Sequence, residues 1–201
     1  MIRILLADDQ ALVRGALASM LRMESDLDVV AEVGSGTEVV PAAKRTTPDI
    51  ALVDVQMPGR DGLSVAAELR RALPGCRVLI CTTFSRPGYL SRAMAAGAAG
   101  FVVKDSSPEQ LVNAIRRVHA GLRFVDPALA AQSLASGASP LTDREADVLR
   151  ATAEGGTVAD IAAAVGLSEG TVRNHLSSAI GKTRARTRAE AARLAEVNGW
   201  L

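Results

Sequence analysis

The 201-residue chain has no apolar run near the roughly 20 residues that a membrane-spanning helix needs. Its opening stretch, Met1 to Ala7, is too short for a signal peptide and runs directly into Asp8 and Asp9. The expectation is a cytoplasmic protein with no membrane partner. Cysteine is scarce: Cys76 and Cys81 alone, in keeping with a reducing compartment. Cys81 lies in an apolar run and reads as a small core residue, not a redox centre. The two histidines, His119 and His175, form no catalytic pair; His119 ends a helical pattern, where a cation suits the helix dipole. Gly181-Lys182-Thr183 lacks the glycine that a phosphate-binding loop needs five residues earlier, because position 176 is leucine. Lysine is also rare, at 3 residues against 20 arginines.

A hydrophobic content of 48% and a charged content of 22% are those of a soluble globular protein. The length suffices for one large or two small domains, each with its own core. Net charge is only +1, yet it is unevenly spread. Residues 139–172 hold two basic side chains (Arg144, Arg150) and six acidic ones. Residues 173–201 hold six basic side chains (Arg173, Lys182, Arg184, Arg186, Arg188, Arg193) and two acidic ones (Glu190, Glu196). A basic surface at one end of a small domain is the footprint of a phosphate-backbone partner, although a solvated helix face gives the same charge count.

From residue 1 to about 120, strand-like runs alternate with helical patterns. That argues for a doubly wound five-stranded parallel sheet with helices on both faces, an α/β domain. The strands are expected at Arg3–Ala7, Val29–Val33, Ile50–Val53, Val78–Cys81 and Gly100–Val103. The last helix is the clearest: Ser107-Pro108-Glu109-Gln110 is a capping box, Leu111, Ala114, Ile115 and Val118 form an apolar stripe, and Gly121 stops it. Asp8, Asp9, Asp54, Thr82 and Lys104 each sit at or just past the end of an apolar run. In an open parallel sheet the carboxyl ends of the strands converge on one crevice. Carboxylates, a hydroxyl and an ammonium meeting there suit a hard cation and a phosphoryl group.

Domain boundaries are expected at 1–121, a linker at 122–139 and a second, smaller all-α domain at 140–201. In the linker, Asp126-Pro127 can start a short helix from Ala128 to Leu134, and the run from Ser136 to Pro140 is flexible by composition. After Leu141 no strand signal appears. Thr142-Asp143-Arg144-Glu145 is a capping box opening a helix to Ala153. A second helix spans about Val158 to Val165, a third starts near Glu169 and a fourth near Arg188. The short turn at Gly166-Leu167-Ser168 gives helix-turn-helix spacing. At about 100° per residue, Val172, Leu176, Ala179 and Ile180 share one arc of the third helix, with Arg173, Asn174 and Ser177 opposite. A DNA recognition helix needs that division.

These motifs, in this order and end to end, resemble two-component response regulators of the NarL/FixJ class. In that class a receiver domain precedes a LuxR-type helix-turn-helix. The resemblance rests on Asp8-Asp9, Asp54-Val55-Gln56-Met57-Pro58-Gly59, Thr82 and Gly100-Phe101-Val102-Val103-Lys104. In the second domain it rests on Leu141-Thr142-Asp143-Arg144-Glu145 and Gly170-Thr171-Val172-Arg173-Asn174-His175. It implies that Asp54 accepts a phosphoryl group as an acyl phosphate. Asp8, Asp9, Asp54 and the backbone carbonyl of Gln56 would hold Mg²⁺. Lys104 and Thr82 would meet phosphoryl oxygens, and a compact ammonium fits a small oxygen cage better than a guanidinium. Phe101 stands at the family's aromatic switch position, with a plain core phenylalanine as the alternative. Thr171, Arg173, Asn174, His175, Ser177 and Lys182 would face DNA.

The implied partners are a sensor histidine kinase, double-stranded DNA and, on phosphorylation, a second copy of the chain, with RNA polymerase possible. The dimer is expected to use receiver helix faces, including the one with Leu111, Ile115 and Val118. Two departures stand out: the family often has leucine where this chain has Thr183, and many relatives have a basic residue at Ala159. Two other readings remain open. One is an orphan regulator that works unphosphorylated. The other is an aspartyl phosphatase, which usually has a second acid two residues after its nucleophile, where this chain has Gln56; by the main reading the chain is not an enzyme.

Overall fold

A computed structural model describes residues 1–83, 87–127, 129–131 and 139–201. The main chain divides into two compact units, with the break after Ala130. Of the short helix expected from Ala128 to Leu134, residues 129–131 are described and helical; its other residues and most of the run from Ser136 to Pro140 lie outside the described residues.

The first unit alternates strand and helix. In chain order these are β1 (Ile2–Ala7), α1 (Ala11–Leu21), β2 (Leu27–Val33), α2 (Gly36–Thr46), β3 (Ile50–Val53), α3 (Gly62–Ala72), β4 (Arg77–Thr82), α4 (Pro87–Ala96), β5 (Gly100–Val103), α5 (Pro108–His119) and β6 (Phe124–Val125). The sheet is parallel, with strand order β2-β1-β3-β4-β5-β6. Chain direction along the sheet reverses between β1 and β3, which opens a crevice at their carboxyl ends.

All residues of β3 are buried, as a sheet covered on both faces requires. One core layer sets Leu5, Val53, Ile80 and Phe101 against α2, α3 and α4; the other sets Leu6, Leu52, Leu79 and Val102 against α1 and α5. Successive strand residues thus point to opposite layers.

Two expectations need correction. The sheet has six strands, not five: Phe124 and Val125, assigned to the linker, pair with Gly100 and Phe101 at the sheet edge. Two residues carry no readable period, so only the register with β5 reveals the strand. Leu111, Ile115 and Val118 are also not a free face. They are 4%, 0% and 0% exposed, packed on the sheet, so a dimer cannot use them.

The second unit is helical: α6 (Asp143–Ala153), α7 (Val158–Val165), α8 (Glu169–Thr183) and α9 (Arg188–Val197). Thr142, Thr157, Ser168 and Thr187 each cap the helix that follows with a side-chain oxygen. Gly166 takes a left-handed conformation (φ 65°) that stops α7 and allows the tight turn into α8. Val148, Leu149, Ile161, Val172, Leu176, Ala179 and Ala191 form the core. Thr183 is buried, and its hydroxyl donates to the Ala179 carbonyl at 2.8 Å. The helix's own backbone therefore satisfies the polar group that stands where leucine is common. Among the described residues, no helix is long and apolar enough to cross a membrane.

Candidate functional site

The crevice between β1 and β3 gathers the residues singled out in the first unit. Strand pairing extends one residue past each strand and fixes the loops. Asp8 N–H donates to the Val33 carbonyl at 3.1 Å, and Asp54 N–H donates to the Ala7 carbonyl at 2.9 Å. Lys104 N–H donates to the Thr82 carbonyl at 2.9 Å, which ties the end of β5 to the end of β4. Asp8 and Asp54 are buried and Asp9 is exposed, and each offers a carboxylate oxygen within 4.8 Å of the others. Lys104 Nζ lies 2.7 Å from Asp8 Oδ2 and 2.9 Å from Asp54 Oδ2. Burial pulls the Lys104 ammonium down, but its hydrogen bonds to Asp8 and Asp54 outweigh that and hold its pKa above the ordinary value. The cluster sets three carboxylates against one ammonium.

The Asp54 carboxylate is fixed by its own loop, accepting Val55 N–H at 2.6 Å through Oδ1. Gly62 closes that loop from behind: its N–H donates to the Val55 carbonyl at 2.8 Å, and a Cβ there would stand 2.0 Å from the Asp54 carbonyl oxygen. Asp61 caps α3 beside it, accepting Leu63 N–H and Ser64 N–H, each at 3.0 Å. Gln56 is exposed in the same loop. Arg14 of α1 donates from Nη1 to the Asp8 carbonyl. Thr82 and Phe101 are fully buried, on neighbouring strands behind Lys104.

Sequence reasoning missed Gly62 and Arg14, for which the only local signal is a glycine at a helix start and a cation five residues past the acids. Burial pushes the Cys76 thiol up to about 11 and the Cys81 thiol up to about 12. Both stay protonated at neutral pH, as core residues do.

In the second unit α8 follows the short turn after α7, and its two faces divide as the angular pattern requires. Val172, Leu176 and Ala179 are buried, while Arg173, Asn174 and Ser177 are exposed. Thr171 and His175 are half-buried, and the Thr171 hydroxyl lies 2.8 Å from the Ser168 hydroxyl at the start of the helix. Lys182 differs from these. Its Nζ donates to Glu145 Oε2 at 2.7 Å, with the Lys182 side chain 35% exposed and that of Glu145 only 5% exposed. Ser178 donates to Glu145 Oε1 at 2.6 Å, and Thr142 N–H donates to Oε2 at 2.7 Å. Burial raises the Glu145 carboxyl, but the bonds from Lys182, Ser178 and Thr142 overcome this and hold it down at about 2. Sequence reasoning saw Glu145 as half of a capping box and as part of a family motif; it also locks α6 to α8.

A buried acidic crevice at a sheet switch point, followed by a helix-turn-helix, defines a response regulator. Residues 4–116 match the response regulator receiver domain, and residues 139–195 match the bacterial regulatory proteins of the luxR family. The chain belongs to the response regulators of the NarL/FixJ class, a receiver with a LuxR-type DNA-binding domain. It is 42% identical over 201 residues to the transcriptional regulatory protein DesR of Bacillus subtilis (strain 168), covering 100% of both chains. Among solved structures it resembles the response regulator ChrA of a heme-sensing two-component system (32% identity, TM-score 0.60, 97% of this chain and 96% of that one). It also shares the fold of RcsB, solved as two dimers bound to two parallel DNAs (23% identity, TM-score 0.72, 98% of each chain).

Proposed function

We propose that this response regulator is switched by phosphorylation of Asp54 and then binds DNA as a dimer. A sensor histidine kinase supplies the phosphoryl group. The observation that supports this most directly is the crevice, where Lys104 touches both Asp8 and Asp54 and three carboxylates outnumber one ammonium. That donor set is all hard oxygen with excess negative charge, which fits Mg²⁺. Asp8, Asp9, Asp54 and the Gln56 backbone carbonyl would hold it, and when bound it neutralises charge on the incoming phosphoryl group.

An Asp54 carboxylate oxygen attacks phosphorus, and the bond from phosphorus to the donor's nitrogen breaks as the new P–O bond forms. Val55 N–H holds the other carboxylate oxygen, which orients the attack. Lys104 turns toward the phosphoryl oxygens, and Thr82 bonds another. As Thr82 moves, Phe101 takes up a second position and the receiver surface changes. Taking such a switch from 1:99 to 99:1 needs about 5.5 kcal/mol of differential stabilisation, within reach of several charge-assisted hydrogen bonds.

Paired α8 helices then enter successive major grooves. Arg173, Asn174 and Ser177 face base edges, while Thr171 and His175 approach phosphates. Lys182 has three N–H donors, so it can keep Glu145 and still meet a phosphate. The protein works in the cytoplasm, where RNA polymerase is a further partner.

The test measures molecular size and DNA affinity with and without beryllofluoride plus Mg²⁺, alongside Asp54→Ala. Dimerisation and tighter DNA binding are expected in the wild type and absent in the variant. No response in either protein would leave a constitutive regulator and overturn the switch.

A further inference from the structure

The exposed stripe of α8 contains a carboxylate that the reading above does not use. Glu169, in the first helical turn, accepts from Arg173 Nη2 at 2.7 Å, one helical turn away. The side chains are 49% and 61% exposed respectively. Exposed pairs of this spacing contribute little to helix stability.

Charge makes the pair unexpected on a DNA-facing surface. The charged side chains of α8 are Glu169, Arg173 and Lys182. Lys182 is engaged by Glu145, and Arg173 is engaged by Glu169. A carboxylate that approaches a polyanion weakens binding to every sequence alike. Affinity alone would favour a neutral residue at 169, so what Glu169 can add is discrimination.

The geometry allows it. Nη2 of arginine carries two hydrogens. One bond to Glu169 leaves the second, together with those of Nη1, as a two-pronged donor edge. That edge matches O6 and N7 of guanine in the major groove. We propose that Glu169 is a specificity-determining residue: its carboxylate holds the Arg173 guanidinium in the orientation that reads guanine and keeps it from swinging onto the phosphate backbone. The inference rests on α8 being the recognition helix, as proposed above.

The test uses the full chain with beryllofluoride and Mg²⁺. Selection from a random duplex library first defines the preferred site. Wild type, Glu169→Gln and Arg173→Lys are then titrated with that site, with copies in which each guanine is replaced in turn, and with a scrambled duplex, at several salt concentrations. In Glu169→Gln, binding to the scrambled duplex tightens, and its log–log salt slope steepens by about one as Arg173 gains a phosphate. Discrimination at one guanine falls by about tenfold. Arg173→Lys keeps the charge, loses the fork and loses discrimination at the same guanine.

A uniform change across all duplexes, or guanine preference retained in Glu169→Gln, overturns the proposal and leaves the DNA-binding reading intact. A wild type that selects no sequence overturns both.

Discussion

Each domain buries a charged cluster, and the two are balanced differently. In the receiver, Asp8, Asp9 and Asp54 gather around one ammonium, that of Lys104, which bonds the buried Asp8 and Asp54; the backbone N–H groups of Gln10 and Val55 also donate to those two carboxylates. In the helical domain, the single carboxylate of Glu145 is met by one ammonium, one hydroxyl and one backbone N–H. The first cluster carries excess negative charge at the open end of a sheet, so it is suited to receive a cation and to respond to new charge. The second is matched and ties two helices together. Like charges gathered without full compensation repel one another, whereas a matched buried pair becomes costly when one partner is removed. Comparing the clusters therefore separates a site with charge left to answer from one that holds architecture.

The largest expected effect comes from unbalancing the matched cluster. Lys182→Met leaves the Glu145 carboxylate buried without its cation and costs about 3 kcal/mol. The single tryptophan, Trp200, packs against the helical core, so its fluorescence during urea unfolding of the full chain reports that domain. An unchanged midpoint would remove Glu145 from the architecture.

Acid tests the same bond. The Glu145 carboxyl sits at about 2 in the folded domain against an ordinary 4.5. Protons therefore bind the unfolded chain more readily, and the stabilisation is complete above pH ~4.5 and lost as pH falls toward ~2. Glu145→Gln should lack that stretch of pH dependence.

The next effect is steric and confined to the receiver. A Cβ at Gly62 would overlap the Asp54 carbonyl, so Gly62→Ala should cost about 2 kcal/mol there. It should lower beryllofluoride affinity and leave the Trp200 transition in place. The smallest effect carries the opposite sign. Asp9→Asn relieves repulsion in the unbalanced cluster and should stabilise the receiver by about 0.5 kcal/mol in Mg²⁺-free solution, while Mg²⁺ affinity falls. Destabilisation by Asp9→Asn in thermal unfolding would mean that the cluster is balanced after all.

Much of this was legible in the chain. β3 and β5 stand where the apolar runs place them, and the capping boxes at Ser107 and Thr142 open α5 and α6 as expected. Asp8, Asp54 and Lys104 could be gathered into one site because each follows a strand, and parallel strands end together. What escaped was either short or long in range. β6 has two residues and shows itself only in its pairing with β5. The apolar stripe of α5 could serve the core or a dimer, and burial against the sheet decides for the core.

Periodicity, caps and strand-end placement are local signals, and by themselves they determined two domains, their order and the acidic site with its lysine. Contacts between distant positions have no local signature. Glu145 bonds side chains 33 and 37 residues away, and Gly62 lies against the Asp54 carbonyl. Only tertiary structure could decide which cation answers which carboxylate, because a charge in the sequence carries no record of the partner that folding brings beside it.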